Sequence, residues 1–262
     1  MSWALIAGGS KGIGFSIAEA LANRQYNLIL IARNQTDLLV AKNRLENGKN
    51  IRVEILVCDL ALAESASEIS NWCLLNKFEV TVLCNAAGMG GSKDFLSLPL
   101  TDLKTMIHIN FESVMALTLV LLPILQKNAP SYILNIGSMA GFTPIPIKNI
   151  YAASKSALHF FSYSLHYQLK KINISVSCLC PGPVFTKPSI EQETKNKLGW
   201  FGNRMAMKPD VVGERAVQGM LKHKMIIVPG KLASVVALFL RAIPTWLTIH
   251  IYFSFGKQGI NT

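Results

Sequence analysis

Short apolar runs alternate with longer stretches of helical periodicity along this 262-residue chain. Trp3–Ala7, Asn27–Ala32, Arg52–Val57, Val80–Leu83, Tyr132–Ile136 and Ile174–Leu179 read as strands buried on both faces, and Met225–Val228 as a seventh. Helical patterns fill the intervals: from the glycines after Ala7 to Arg24, Gln35 to Asn47, Ala63 to Asn76, Thr101 to Gln126 and Asn149 to Lys171. Strands that alternate with helices predict βαβ units, and therefore an α/β fold with a parallel sheet covered on both faces. No repeat, low-complexity tract or Ser/Gly linker interrupts the pattern. Residues 1–230 read as one domain, and 231–262 as an apolar C-terminal extension.

Composition changes this picture in two places. The net charge of +11 is uneven: residues 1–150 hold 12 Lys/Arg against 11 Asp/Glu, and residues 151–262 hold 14 against 4. A basic second half suits an anionic partner, whether an acidic carrier, a lipid surface or a nucleic acid, and equally a plain solvated surface. No recognition helix or basic–aromatic platform is present, so nucleic acid is not expected as a partner. The five cysteines, Cys58, Cys73, Cys84, Cys178 and Cys180, are odd in number and lack paired metal-type spacing. They read as reduced core thiols, and with no signal peptide before the first strand the expected location is cytoplasmic. Cys178 and Cys180 alternate in a strand and share a face. His108, His159 and His166 have no acidic or cysteine partner at ligand spacing along the chain, so no metal is expected.

The candidate chemistry lies in the loops that follow the strands. Gly8, Ser10, Lys11, Gly12, Ile13 and Gly14 separate the first strand from the first helix. Glycines there let the backbone turn tightly and approach a pyrophosphate, whose charge rests on the helix N-terminus. At the end of the second strand, where an acid would bind the 2′-hydroxyl of NAD, stands Arg33, with Lys11 as a second cation. No acid appears until Asp37, so the pair favours NADP(H) over NAD(H) by its 2′-phosphate. Asp59-Leu60 follows the third strand and would meet an adenine amino group or cap the next helix. Asn85-Ala86-Ala87-Gly88 follows the fourth strand, Ser138 the fifth, and Pro181-Gly182-Pro183-Val184-x-Thr186 the sixth. All fall at the carboxyl end of the sheet, where open α/β sheets bind ligands. Tyr151 and Lys155 stand one helical turn apart, so an ammonium would sit beside a phenol and lower its pKa. A packed tyrosine and a solvated lysine would show the same spacing; the joint placement of the loops favours the chemical reading.

In that order the motifs resemble the short-chain dehydrogenase/reductase family over residues 3–230, with a branch near long-chain 3-oxoacyl reductases and hydroxysteroid dehydrogenases the nearest likeness. Ala7 departs from the threonine the family often carries before the first glycine. The resemblance implies a single Rossmann-like doubly wound sheet of about seven strands and a nicotinamide cofactor. It implies Tyr151 as general acid, Ser138 as the donor to the carbonyl oxygen, Lys155 as holder of the nicotinamide ribose, and Asn110 as the seat of a proton-relaying water. Thr186 would bind the nicotinamide amide. It also implies a homodimer or homotetramer built on the helices Thr101–Gln126 and Asn149–Lys171.

A lid at about 187–208 carries Lys187, Lys195, Lys197, Arg204 and Lys208 against Glu191 and Glu193, with Trp200, Phe201, Met205 and Met207. With Phe142, Ile145 and Pro146 it describes a greasy pocket beneath a basic rim, suited to a lipophilic carbonyl, including an acyl group on an anionic carrier. Leu232–Phe255 is apolar, yet Arg241, Pro244 and His250 interrupt it, which disfavours a membrane span. Its stripe of Leu232, Val235, Val236, Phe239, Leu240 and Ile243 predicts a helix packed on the domain, on a subunit partner or on a membrane surface. The expected activity is NADP(H)-dependent interconversion of a carbonyl and a secondary alcohol. NAD-dependent alcohol oxidation and a non-catalytic NADP-binding sensor are the alternatives.

Overall fold

The computed structural model describes residues 2–91, 95–186 and 204–249. Most of the expected lid and the segment from His250 onward lie outside these residues, including Lys187, Glu191, Glu193, Lys195, Lys197, Trp200 and Phe201. The strands are β1 (Trp3–Ala7), β2 (Asn27–Ala32), β3 (Val53–Val57), β4 (Val80–Asn85), β5 (Ser131–Ile136), β6 (Ile174–Leu179) and β7 (Ile226–Ile227). They form one seven-stranded sheet in the order β3-β2-β1-β4-β5-β6-β7, with every pair parallel. The expected Rossmann-like α/β architecture is therefore present.

The strand order reverses between β1 and β4, and their carboxyl ends, Ala7 and Asn85, are paired neighbours. That reversal splays the loops apart and opens the crevice in which such folds bind ligands. The strands are nearly all apolar because both faces are covered. One face packs Ile6, Leu28, Leu30 and Leu134 against α1 (Gly12–Ala22), α2 (Gln35–Glu46) and, further along the chain, Pro209–Leu221. The other packs Leu5, Ile29, Leu83 and Ile133 with α3 (Ser65–Leu75) and the long helical region after β4.

That long region departs from the expected continuous helix. It is α4 (Leu100–Ile107), then a π-helical turn at His108–Glu112, then α5 (Ser113–Lys127). A π-turn widens the ladder by one residue and re-aims the side chains it carries. Here it carries Asn110, which is fully buried. Leu100–Lys127 is also long and apolar enough to cross a membrane by composition, but Val114, Leu117, Leu121, Ile124 and Leu125 are buried against the protein. After β5 comes α6 (Asn149–Leu169); Pro209–Leu221 is α7 and Lys231–Ala242 is α8.

In α8 the packing corrects the expected stripe. Ala233 and Ala237 are the buried residues, set against Met139 with Phe142, Val236 and Leu240 around them, while Val235 and Phe239 face solvent. Two alanines let the helix lie close to the Met139–Phe142 turn, and the larger side chains fan out around that contact.

Candidate active site

The glycine loop is shaped by what cannot fit in it. Gly8 has φ +85°, and a Cβ there would lie 2.6 Å from the backbone nitrogen of Ala87. A Cβ on Gly14 would lie 2.1 Å from the Gly8 carbonyl oxygen, so the first turn of α1 packs directly on the loop. Lys11 is the N-cap residue and the first turn of α1 has no acidic side chain, which leaves its positive end for an anion. A Cβ on Gly12 would stand 3.4 Å from Thr186 Cγ2, so the loop after β6 reaches the loop after β1. Ile13 packs on the core below, and Ser10 is half-buried in the turn. A bare backbone cradle at a helix N-terminus, closed on one side by Thr186, fits the pyrophosphate of a dinucleotide.

The two cations at its edge differ. Arg33 is exposed at the end of β2. Lys11 pairs with Asp37 at 2.7 Å, its own side chain 70% exposed. Asn34 caps α2 by accepting from the Asp37 amide, which fixes Asp37 in the first turn of the helix. The expected pair of cations without a carboxylate is thus corrected: one of the two has a carboxylate beside it.

Asp59 accepts from the Ala61 amide at 3.0 Å, so it braces its own turn, and Leu60 is buried beneath it. Asn85 is 2% exposed and donates to Asn135 Oδ1 at 2.8 Å and to Thr118. Asn135 in turn donates to Ser162 at 3.0 Å. Asn85 therefore ties β4 to β5 and to α5 beneath the loop.

The chemistry-bearing side chains converge one loop further on. A Cβ on Gly88 would lie 3.4 Å from Asn110 Oδ1 and 3.6 Å from Lys155 Nζ. Asn110 exchanges hydrogen bonds with the Met89 backbone, accepting from its N–H at 2.7 Å and donating to its carbonyl at 2.9 Å, and it donates to Ser154 Oγ at 3.1 Å. Both amide hydrogens are used and one Oδ1 lone pair remains. Ser154 stands inside Tyr151-Ala-Ala-Ser-Lys155 and carries no motif signal of its own; its hydroxyl donates to the Tyr151 carbonyl at 2.8 Å.

Lys155 is 4% exposed, and its Nζ donates to the Ile136 carbonyl at 2.7 Å. Burial brings its pKa from 10.5 down to about 8, partly offset by the nearby Cys178 and Cys180. The Ser138 side chain stands near enough to the Tyr151 phenol to lower its pKa, while burial, the larger effect, raises it. The expected depression by Lys155 is not what this arrangement produces: the ammonium lies 5.9 Å from the Tyr151 ring centre and is turned toward Ile136. Ser138 also accepts from the Ala140 amide at 3.1 Å, which fixes its Oγ at the start of the 3₁₀ turn Met139–Phe142. Pro181 accepts from the Met139 amide at 3.0 Å and joins the loops after β5 and β6, while Gly182 lies near Met139 and Val184 pairs with Met207.

Two histidines correct the expectation that they lack an acidic or cysteine partner. His108 contacts Glu112 at 3.0 Å, one turn along the π segment. His159 contacts Cys180 Sγ at 3.2 Å, from a helix and a strand far apart in sequence.

The sequence profile of the short-chain dehydrogenases matches residues 2–197. A very-long-chain 3-oxoacyl-CoA reductase of Rattus norvegicus is 32% identical over 215 residues, covering 76% of this chain and 68% of that one. Its counterpart in Mus musculus is 34% identical over 200 residues, covering 74% of this chain and 64% of that one, so about a third of each relative lies outside the match. A solved short-chain dehydrogenase from Sphingobium yanoikuyae in complex with NADPH superposes with a TM-score of 0.78 at 26% identity, over 91% of this chain and 92% of that one. The matched region contains the glycine cradle and the Asn110, Ser138, Tyr151 and Lys155 cluster alike, and the chain belongs to the short-chain dehydrogenase/reductase family of oxidoreductases.

Proposed function

We propose that the protein reduces the carbonyl of a lipophilic substrate, a 3-oxoacyl group on an anionic carrier being the leading class, with NADPH as the favoured cofactor. The observation that carries this reading is the gathering of Lys155 and Asn110 around Gly88, with Ser138 near enough to the Tyr151 phenol to lower its pKa. The cofactor would supply the hydride. Ser138 Oγ and the Tyr151 phenol would hold the carbonyl oxygen between two donors, so the charge that develops there meets fixed dipoles. Tyr151 would then give its proton to that oxygen; a phenol with a raised pKa is protonated and ready at neutral pH. Lys155, charged below about pH 8, would hold the ribose hydroxyls and the electrostatic balance of the pair. The remaining lone pair of Asn110 would anchor a water between Lys155 and solvent.

Three observations support the finer assignments. Arg33 is exposed where a 2′-phosphate would lie, and the Sphingobium structure binds NADPH. The two mammalian relatives are named for 3-oxoacyl-CoA reduction. The basic second half suits an anionic carrier. The Lys11–Asp37 pair favours the NAD-dependent alternative, because it removes one of the two cations from the argument. Assembly through α5 and α6, and contact of α8 with a membrane surface from a cytoplasmic location, belong to the same proposal.

The deciding experiment follows NADPH oxidation by absorbance with a long-chain 3-oxoacyl-CoA and with small ketones. Turnover with the acyl substrate that Tyr151→Phe abolishes, NADPH binding intact, is expected. Full activity of that variant would sink the mechanism, and binding without turnover on any carbonyl would favour the sensor.

A further inference from the structure

Directly behind the Ser138 loop lies a cluster that the reduction does not use. His159 is 2% exposed on α6, one turn beyond Lys155, and Cys178 and Cys180 are fully buried at the end of β6. The His159 ring is wedged beside the Ser138 loop: a Cβ on Gly137 would lie 2.7 Å from its Nε2, and one on Gly141 2.6 Å from its Cε1. Its Nε2 is 3.2 Å from Cys180 Sγ, the two sulfurs are 3.7 Å apart, and all three donor atoms lie within 4.8 Å of one another.

Those separations can be compared with a coordination shell. Metal–sulfur bonds of about 2.3 Å and metal–nitrogen bonds of about 2.0–2.1 Å at tetrahedral angles put two sulfurs about 3.8 Å apart and a sulfur and a nitrogen about 3.6 Å apart. The sulfur pair already matches, the imidazole must draw back from Cys180 by a few tenths of an ångström, and the Cys178 sulfur and the imidazole, within 4.8 Å of each other, must close by up to about 1.2 Å by side-chain rotation. Two further polar atoms here, His159 Nδ1 and Tyr163 Oη, are buried without a hydrogen-bond partner among the described residues, and the Tyr163 ring stacks on His159 at 6.0 Å. Buried polar atoms left unsatisfied are costly; Nδ1 lies across the ring from Nε2 and cannot meet the same ion, so of the two only the Tyr163 hydroxyl is open to a further ligand of an ion held at Nε2.

We propose that His159, Cys178 and Cys180 form a binding site for a thiophilic d¹⁰ cation such as Zn²⁺, set against the back of the Ser138 loop. On binding, both thiols release their protons to solvent and the neutral imidazole contributes its Nε2 lone pair. Two thiolates and a dication sum to zero charge, which suits a buried site next to the Lys155 ammonium. The same Nε2 is the acceptor for the Ser138 backbone N–H at 3.5 Å, so occupancy removes that acceptor and disturbs the loop that holds Ser138. The bound cation is therefore an inhibitor of turnover.

Anaerobic titration of the reduced, full-length protein with Co²⁺, read by absorbance, tests the site without reference to activity. One equivalent should produce thiolate-to-cobalt charge-transfer bands that Zn²⁺ displaces. The bands should persist in Cys58→Ser and vanish in Cys180→Ser and Cys178→Ser. Wild-type protein without bands, or a folded Cys180→Ser that keeps them, would overturn the proposal. Should both variants fail to fold, X-ray absorption at the zinc edge of the loaded wild type decides: a shell with two sulfurs supports the site, and one of only nitrogen and oxygen refutes it. Loading should also slow NADPH oxidation reversibly, chelator restoring it; bands with unchanged turnover would refute the coupling to Ser138.

Discussion

The two rims of the crevice are built on different principles. On the side of β1 and β2 the site is backbone and surface: glycines too tightly placed for a side chain, and cations that reach into solvent. On the side of α6 and the π-turn between α4 and α5 it is side chains taken out of water: Asn110 and Lys155 are 0% and 4% exposed, and each is held by hydrogen bonds to neighbouring backbone. Backbone shape fixes where a dinucleotide can lie and is intolerant of added atoms. Exposed charge would, under the proposed function, tune which dinucleotide, and solvent screening keeps each such contact weak. Under the proposed function the buried polar groups would determine whether a proton can move, and because they are interlocked a change in one is felt by the others.

The largest effects should therefore fall on the buried rim. Tyr151→Phe keeps the ring and removes the proton, so kcat should fall by about 10²–10⁴-fold while NADPH affinity, read by nicotinamide fluorescence, stays near wild type. Ser138→Ala should cost about 10²–10³ in kcat through the lost oxyanion donor, again with cofactor binding retained. If either variant lost cofactor binding in proportion to turnover, the division between the rims would be wrong.

The glycine rim should fail differently. Gly8→Ala forces a Cβ to within 2.6 Å of the Ala87 nitrogen at a positive φ. Strain of about 1–3 kcal/mol should appear as a lower Tm together with weaker NADPH binding. A variant with wild-type Tm and affinity would mean the cradle is looser than its geometry.

The pH profile sharpens the buried rim further. Lys155 has its folded pKa lowered from 10.5 to about 8, so it loses its charge as pH rises through about 8, while the raised Tyr151 pKa keeps the phenol protonated there. Reduction should decline above about pH 8 through Lys155 alone. Its contribution to stability has the opposite sign: between about 8 and 10.5 the unfolded chain binds more protons than the folded one, so that contribution grows with pH across the window. A rate that stays flat to pH 10 would remove Lys155 from the mechanism. Arg33→Ala should give the smallest change, weakening NADPH by about tenfold and NADH not at all, an effect that added salt should diminish. Equal losses for both cofactors would show that Arg33 does not read the phosphate.

Alternating apolar runs and helical stretches determined the sheet, its parallel sense and the helices on both faces, because strand burial and the 3.6-residue period are local properties. Glycines, Ser138, Tyr151 and Lys155 were legible for a similar reason: each sits at a fixed offset from the end of a strand, and a parallel sheet brings those ends together. What followed from contacts between distant segments was not legible. The π-turn that aims Asn110 follows from how α4 and α5 pack, and an unbroken apolar period gives no sign of it. Asp37, in the first turn of α2, meets Lys11, in the loop before α1, because the sheet sets the two helix starts side by side. The phenol's pKa is set by burial and Ser138 more than by the lysine one turn away, and burial is a property of the whole packed site. His159 meets Cys180 across 21 residues because α6 lies on β6, and no spacing along one strand or one helix could bring an imidazole and two thiols to the same point.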